Sequence, residues 1–396
     1  MIIAKTQFSI ELMPVNKNQH FVPQHYLRQF RIEGTNQLSV ARINPLRLID
    51  RAPIDRQCQQ DYFYKDDGQL DDLLQQFECD VAPVLRRVSE QRKFDPKELA
   101  ALRFLAVILD IRTRKAVELA KVFPKKISYE VIKSAIERGE LREPEGGWKE
   151  EMMDFTGVAG TQLKATAISS WLEMQTLGCK LLEAEDGSSF VTSDNPVVKM
   201  NQLFATIEPY RSFVGFSRSG FQLLLPIAPH LCLFFYDPKV YKVGSRRENP
   251  VTISRLDVDL VNSLQLQSAE KCIYFHSPEF KPAVFQLVMK NASLRLPVSS
   301  SLREFKGESE EESILHIRQP SPKLRHPWAF CKYHKKRKIG EDNRRDPEWS
   351  NMVEAVVNDL DKHPGRGVFE SMEEILGCPL READAERLKK DIFCSS

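Results

Sequence analysis

The chain has 396 residues, of which 42% are apolar and 28% are charged. This composition is typical of a globular protein and excludes a mostly disordered chain, a collagen-like chain and a long coiled coil. The 57 basic and 55 acidic residues leave a net charge of +2, so any binding of nucleic acid requires a local basic patch.

The sequence carries no signal for a membrane or for secretion. No stretch reaches the about 18 uninterrupted apolar residues of a membrane span, and the N-terminus lacks the basic start and apolar run of a signal peptide. The eight cysteines include no CxxC pair, which argues against a disulfide framework in a chain of this length. We therefore expect a reduced, cytoplasmic protein without membrane contact, and the oligomeric state stays open.

The first half of the chain is predicted to be mainly helical. LSVARI at 38–43 predicts a strand, and apolar residues recur at three- and four-residue steps from Asp71 onward, which predicts a helix. Asp95 is a plausible N-cap, followed by Pro96 and Glu98, and the next helix is predicted to continue to about residue 123. Its middle is apolar on nearly every face, so we expect it to be buried. Three charged residues lie near that middle: Asp110, Arg112 and Arg114.

The pattern changes to strands after about residue 178. CKLLEA and SFVTS flank an Asp-Gly pair at 186–187, which predicts a β-hairpin. FQLLLPI and HLCLFFYD predict two strands joined around 228–229. A helix is predicted over 256–270, with Asn262 off its apolar line and therefore exposed, and CIYFHS predicts a closing strand.

These elements predict an α+β fold with a helical middle, a mainly antiparallel strand region and a basic C-terminal helical extension. The predicted organisation is an α+β domain over residues 1–300, a charged and basic linker over 301–346, and a C-terminal helical segment over 347–396. That segment begins with a helix at Asp346-Pro347.

The stretch 318–345 is the local basic patch, with ten basic residues and two acidic ones. Aromatic residues are interleaved with the basic ones, which favours contact with a nucleic-acid backbone and its bases. A solvated basic tail is the alternative. The predicted nucleic-acid-binding residues are Lys332, Lys335, Lys336, Arg337 and Lys338.

His20 is the first candidate for chemistry, in the segment HFVPQHYLRQF. The pKa of a histidine lies near neutrality, so His20 can act as a general base or a metal ligand. Pro23 disfavours a helical conformation for the residue before it, so His20 is predicted to lie on extended chain. The alternative is a structural histidine that bonds the backbone.

Asp194 is the second candidate, in the segment TSDNP at the end of a predicted strand. It can bind a metal or orient His20, because loops at strand ends carry functional groups. The alternative is a turn, since Ser193, Asp194 and Asn195 precede a proline and such residues bond their own backbone.

Arg112 is the third candidate, because a buried arginine is costly unless it is paired. It either forms a salt bridge with a carboxylate such as Glu78 or Asp194, or faces a polar pocket. In a pocket, its guanidinium would suit a phosphate or a carboxylate.

A metal site is only weakly indicated. His326, Cys331 and His334 form part of a zinc pattern without a CxxC partner. The cofactor therefore stays unknown, with a divalent metal as one option. The motifs of P-loop NTPases, Rossmann dehydrogenases, zincins and α/β-hydrolases are absent.

Several of these segments together resemble domain-of-unknown-function family 4238 (DUF4238). HFVPQHYLRQF resembles its opening signature, Arg112-Thr113 its Arg-Thr position, and FVTSDNPVV its strand-end signature, over residues 18–280. Arg114 departs from the family, which has a proline there. The resemblance implies one shared site made of His20, Gln24, Arg28, Arg112, Ser193, Asp194 and Asn195. Similar proteins are mostly bacterial and sometimes lie near defence genes.

We therefore expect a nuclease-like hydrolase acting on nucleic acid or another phosphate-containing substrate, with a role in bacterial anti-phage defence. Its predicted catalytic residues are His20, Asp194 and Arg112. Its predicted substrate-binding residues are Gln24, Arg28, Ser193 and Asn195. One alternative is a non-catalytic module that senses a nucleotide, a nucleic acid or a partner. Another is group transfer from a dinucleotide, which lacks a recognisable catalytic glutamate here.

Overall fold

The computed structural model describes residues 18–61, 68–144, 147, 149, 158–205, 214–245, 247–296, 301–306, 313–318, 321–333, 343–363 and 365–376. Its helices are α1 (Gln24–Leu27), α2 (Gly68–Gln91), α3 (Pro96–Ile111), α4 (Arg114–Glu137), α5 (Val158–Met174), α6 (Arg255–Ser268), α7 (Lys281–Asn291), α8 (Pro347–Lys362) and α9 (Val368–Leu376). Its strands are β1 (Asn18–His20), β2 (Gln37–Arg42), β3 (Arg47–Pro53), β4 (Gln59–Asp61), β5 (Gly178–Ala184), β6 (Thr192–Ser193), β7 (Val198–Asn201), β8 (Phe221–Ala228), β9 (Leu231–Tyr236), β10 (Tyr241–Val243), β11 (Val251–Ile253), β12 (Cys272–Phe275), β13 (Ser301–Lys306), β14 (Ser313–Arg318) and β15 (Cys331–Tyr333).

Two sheets organise the strands. The larger has the order β11-β5-β9-β8-β7, and all its neighbours are antiparallel except β11 and β5. The smaller has the order β3-β2-β12-β6 and is antiparallel throughout. The pairs β1–β4, β10–β15 and β13–β14 lie apart from both. The predicted α+β class with mainly antiparallel strands is confirmed.

Strands β8 and β9 are buried on both faces, which explains why their sequences are apolar without alternation. Successive side chains of a strand point to opposite faces. Leu223 and Leu225 accordingly belong to one apolar core, which includes residues of α2, α3 and α5. Leu224 belongs to a second core, which includes Val258 and Val261 of α6. The larger sheet therefore separates two cores, and no face of these central strands is left for solvent.

The prediction of one long helix from Asp95 to about residue 123 is wrong in its length. Its start is confirmed, because the Asp95 carboxylate accepts a hydrogen bond from the Glu98 backbone N–H and the Glu98 carboxylate accepts one from the Asp95 backbone N–H. The helix ends at Ile111, and Thr113 begins α4 as an N-cap whose hydroxyl accepts a 3.3 Å hydrogen bond from the Ala116 N–H. Arg112 is thus at a helix end. Apolar residues continue across the break, so their periodicity did not reveal it.

The predicted hairpin at 186–187 is also wrong. The chain does turn there, with Gly187 at φ 78°. However, β5 before the turn pairs with β9 and β11, whereas β6 after it pairs with β12. The two flanking segments enter different sheets, and that choice is made by tertiary packing and not by the turn. The adjoining strands β8 and β9 are antiparallel neighbours, as predicted.

The C-terminal segment packs onto the rest of the chain. Helix α8 begins as predicted, with the Asp346 carboxylate accepting from the Trp349 N–H. The Trp349 indole N–H donates to the Leu172 carbonyl of α5, and Val353 and Val356 are buried in the first apolar core. The domain boundaries at 300 and 346 stay predictions. No helix within the described ranges is long and apolar enough to cross a bilayer.

Candidate functional site

Three polar side chains lie in a row along the segment that runs from β1 through α1. His20 ends β1 and Gln24 begins α1, and Arg28 follows one helical turn later. The Arg28 guanidinium donates a 2.9 Å hydrogen bond to Gln24 Oε1, and Gln24 Nε2 lies 3.3 Å from His20 Nε2. The four-residue helical spacing places Gln24 and Arg28 on one side of the helix, and the loop at 21–23 brings His20, at the end of β1, beside Gln24. We name them the His20–Gln24–Arg28 row.

The His20 imidazole has two possible hydrogen-bonding arrangements. Its Nε2 lies 3.1 Å from the Asp55 carbonyl oxygen and 3.3 Å from Gln24 Nε2. A proton on Nε2 lets it donate to Asp55, and an unprotonated Nε2 accepts from Gln24. Burial lowers the pKa of His20, although the Asp55 carbonyl and the Glu78 carboxylate act in the opposite direction. The ring is therefore held neutral, in the state of a general base.

Arg112 is hydrogen-bonded to the backbone of the His20–Gln24–Arg28 row. Its side chain is buried, and its guanidinium donates hydrogen bonds to Glu78 Oε1 and to the His20 carbonyl oxygen, each with a donor–acceptor distance of 2.5 Å. Of the two carboxylates considered from the sequence, Glu78 is the partner. Because its guanidinium is enclosed by these acceptors, Arg112 holds the backbone of His20 in place. It is a positioning residue.

Glu78 joins Arg112 to a second histidine. His25 Nδ1 lies 3.6 Å from Glu78 Oε2. Burial opposes ionisation of Glu78, but the hydrogen bond from His25 and the Arg112 guanidinium outweigh it, so the pKa of Glu78 lies below its ordinary value. His25 Nε2 is buried without a hydrogen-bond partner among the described residues. Sequence reasoning did not select His25, and the only signal for it was its place five positions after His20 in the same segment.

Asp194 is hydrogen-bonded to the segment that joins α6 to β12. Its two carboxylate oxygens accept hydrogen bonds from three consecutive backbone N–H groups, those of Glu270 (2.8 Å), Lys271 (2.7 Å) and Cys272 (3.0 Å). Burial raises the pKa of Asp194 to about 6, and these three hydrogen bonds act against that rise. In the part of the chain that the structure describes, no hydrogen bond or ion pair joins Asp194 to His20. Asp194 therefore fixes the connection from α6 to β12.

Ser193 and Asn195 act beside it in the same way. The Ser193 hydroxyl donates to Gln265 Oε1 and accepts from the Asn195 backbone N–H, and the Asn195 amide donates to the Ser268 carbonyl. These contacts agree with the turn interpretation of the TSDNP segment. By their hydrogen bonds these residues form two sets, the His20–Gln24–Arg28 row with Arg112 and the Ser193–Asn195 turn. The two sets are neighbours, because the Tyr26 hydroxyl lies 2.7 Å from the Thr192 hydroxyl and Arg114 Nε lies 3.6 Å from Glu270 Oε1. Their roles toward a substrate stay predictions.

Asn262 is buried, and the prediction of an exposed position was wrong. Its side-chain oxygen accepts from the Val191 N–H, and its amide donates to the Ser189 carbonyl. Neighbouring Gln265 is fully buried and donates to the Pro196 carbonyl. Helix α6 is enclosed on nearly all sides, and its polar residues satisfy the backbone of the chain before and after β6. Such partners lie outside the helix, so its own periodicity could not indicate them.

The structure describes no metal centre among its residues. No group of three or more His, Cys, Asp or Glu side chains within the described ranges is placed to hold a metal ion. Cys331 of the weak zinc pattern is buried in the second apolar core, and burial raises its pKa to about 12. His334 lies outside the described residues.

The predicted nucleic-acid-binding patch is described only at its first residue. Lys332 is exposed on β15, which pairs with β10. Lys335, Lys336, Arg337 and Lys338 lie outside the described residues. Arg345, at the end of the basic stretch, is buried against α5.

A family model described as "Protein of unknown function (DUF4238)" matches residues 18–279. The chain belongs to the DUF4238 family. The match contains the His20–Gln24–Arg28 row, Arg112 and the Ser193–Asn195 turn, whereas α7, α8 and α9 lie beyond it. No curated protein and no solved structure matches this DUF4238 chain.

Proposed function

We propose that this DUF4238 protein is a nuclease-like hydrolase that cleaves phosphodiester bonds in nucleic acid, with His20 as its acid–base group. One observation carries the proposal: the His20–Gln24–Arg28 row places a neutral, half-buried imidazole on the same turn as an exposed guanidinium. A base and a cation together are what phosphoryl chemistry needs, because a proton must be removed and negative charge must be stabilised.

His20 would take the proton through Nδ1. When Nε2 carries its proton and donates to the Asp55 carbonyl, the lone pair of the imidazole is on Nδ1. That nitrogen would accept a proton from the attacking water or ribose hydroxyl, and the imidazolium would return it to the leaving oxygen. The lowered pKa of His20 keeps this base available at neutral pH.

Arg28 would bind the phosphate. Its guanidinium is the exposed end of the row, and planar guanidinium groups bind phosphate oxygens in a bidentate manner. Gln24 would hold the Arg28 guanidinium through its Oε1, 2.9 Å away, and its Nε2 donates to His20 only in the other tautomer, in which His20 Nε2 is unprotonated. Arg112 would hold the His20 backbone, and Asp194 would contribute through the fold. The basic residues at 332–338 would add affinity that is independent of sequence.

The first test measures degradation of plasmid DNA, single-stranded DNA, RNA and tRNA by the wild type and His20→Gln, with Mg²⁺ or Mn²⁺ and with chelator. We expect the variant to lose activity by about a hundredfold or more, the usual contribution of an acid–base residue. The matched control is His363→Gln, at the exposed end of α8. Equal activity of wild type and His20→Gln would contradict the proposal. Activity that persists with chelator would assign the step to acid–base chemistry alone.

A non-catalytic binding module is the second candidate. The carboxylate of Asp194 is occupied by backbone N–H groups, and among the described residues no carboxylate is hydrogen-bonded to His20, whereas a carboxylate often orients a catalytic histidine. In that case the row would bind a nucleotide or nucleic acid without turnover. A gel shift weakened by Arg28→Ala, without degradation by the wild type, would favour this candidate. A role in anti-phage defence stays a prediction in either case.

A further inference from the structure

Four exposed arginines lie along the β-hairpin that leads to the His20–Gln24–Arg28 row. They are Arg42 at the end of β2, Arg47 and Arg51 on β3, and Arg56 in the 3₁₀ turn that follows β3. The Asp55 carbonyl of that turn lies 3.1 Å from His20 Nε2, so the hairpin runs directly to the candidate base. We name these four residues the hairpin arginines.

The hairpin arginines are not neutralised by the protein itself. None of the four forms an ion pair or a side-chain hydrogen bond with any residue that the structure describes. The segment 42–56 contains only two acidic residues, and one of them, Asp50, is already paired with Lys281 Nζ at 2.5 Å. The four guanidinium groups therefore present their charge to solvent, beside the proposed site.

The placement of Arg42 and Arg47 indicates an anionic partner. The two are directly opposite each other in the antiparallel pair of β2 and β3, so their side chains leave the same face of the sheet, with Cβ atoms about 5 Å apart. Like charges in this position destabilise a sheet. A phosphate would remove the repulsion, because guanidinium groups bind its oxygens in a bidentate manner.

Protection of a sheet edge does not account for both arginines. Charged side chains on an edge strand prevent it from pairing with other chains, and β3 is the edge strand of the smaller sheet. However, β2 lies between β3 and β12 and has no free edge, so Arg42 needs another explanation.

We propose that the hairpin arginines bind the phosphate backbone of a nucleic acid and guide it along β3 to His20. The inference rests on the proposed function for the reaction at His20 and adds the path of the substrate. The six residue steps from Arg47 to Pro53 span about 20 Å, the length of about six base pairs. Contacts to phosphates carry no sequence information, so we expect binding that is independent of sequence.

Fluorescence anisotropy with a labelled 20-base-pair DNA duplex and a labelled 20-nucleotide RNA tests the inference, on whichever probe binds more tightly. All variants carry His20→Gln, so that the probe stays intact. We expect Arg42→Gln with Arg47→Gln to weaken binding at least about tenfold at 0.1 M salt. The slope of log K against log salt concentration should fall by about one to two, since each phosphate contact contributes about 0.7–0.9.

The matched control is Arg255→Gln with Lys362→Gln, which removes two exposed positive charges from α6 and α8. We expect its affinity to stay within about twofold of the parent. Thermal unfolding checks that both double variants fold, which we expect because the hairpin arginines make no side-chain contact that the fold requires.

Equal affinities of the arginine variant and the control would overturn the inference, as would the absence of binding of both probes by the parent. Aggregation of the arginine variant with unchanged affinity would also overturn it and would assign the arginines to edge protection. His20-dependent degradation without arginine-dependent binding would contradict this inference alone. Arginine-dependent binding without any degradation by the wild type would support the phosphate contacts and contradict the proposed hydrolysis.

Discussion

A single carboxylate can decide a local fold when several backbone donors converge on it. Asp194 accepts from the N–H groups of Glu270, Lys271 and Cys272, which follow the end of α6. These N–H groups would otherwise be left without partners, and buried unpaired donors are costly. A carboxylate at position 194 is therefore explained by the structure alone, because it accepts three backbone hydrogen bonds.

Asp194→Asn tests this role at the level of one atom. Two N–H groups point at Oδ2, and an asparagine can present an oxygen to only one side, so at least one donor would face an amide N–H₂ group. We expect the free energy of unfolding to fall by about 2–3 kcal/mol, measured by urea denaturation. The control Asp186→Asn, in an exposed turn, should change little. An unchanged free energy of unfolding for Asp194→Asn would show that these donors find other partners.

At the scale of the element, the break between α3 and α4 builds part of the candidate site. A continuous helix would place Arg112 on a helical surface, whereas the break puts it at the C-terminal end of α3 with its guanidinium free to reach two partners. Thr113 makes the break favourable because its extended backbone and its hydroxyl cap the next helix. In this short segment Thr113 caps α4, and Arg112 beside it binds the backbone of His20.

Replacing Thr113 by valine removes the cap and keeps the shape of the side chain. We expect the loss of the hydrogen bond from the Ala116 N–H to lower the free energy of unfolding by about 1 kcal/mol, measured by urea denaturation. Thr113→Ser keeps a hydroxyl in place and should recover most of that loss. If the serine and valine variants were equally destabilised, the methyl group of Thr113 and not its hydroxyl would stabilise the break.

At the scale of the whole molecule, the segment after residue 343 is tied to α5 by a buried charge. The Arg345 guanidinium donates to the Glu173 carboxylate and backbone oxygen, to Thr176 and to the Phe216 carbonyl. Burial raises the pKa of Glu173, with Arg345 acting against that rise. A buried pair is weak as a source of net stability but costly to break, since one charge is then left alone.

Arg345→Met therefore should loosen the C-terminal segment. Glu173 would remain buried without its cation, and the free energy of unfolding should fall by about 3 kcal/mol or more. Hydrogen exchange of α8 should become faster as well. The control Arg344→Met alters a neighbouring arginine that bonds Asn351 in an exposed contact, and we expect a small effect. Unaltered exchange in α8 of Arg345→Met would mean that apolar packing alone holds the segment.

Local signals in the sequence predicted the elements that depend on near neighbours. The capping box at Asp95, the N-cap at Asp346 and the strands β8 and β9 follow from residues within a few positions of each other. The break at Thr113 was missed because apolar periodicity outweighed a one-residue cap signal. The hairpin at 186–187 was wrong because an Asp-Gly pair determines a turn but not which strands pair across it.

The sequence by itself determined the family, the α+β class and several of the helices and strands, since these depend on composition, periodicity and motifs in order. Only the tertiary structure decided which partners the candidate residues meet. Arg112 is hydrogen-bonded to Glu78, which is 34 residues away in the sequence, and Asp194 accepts from the N–H of Glu270, which is 76 residues away. A polar residue needs a hydrogen-bond partner when it is buried, but the sequence does not say which of many residues that partner is. The packing of helices against the two sheets selects one of them, and among the described residues it gives His20 and Asp194 different hydrogen-bond partners.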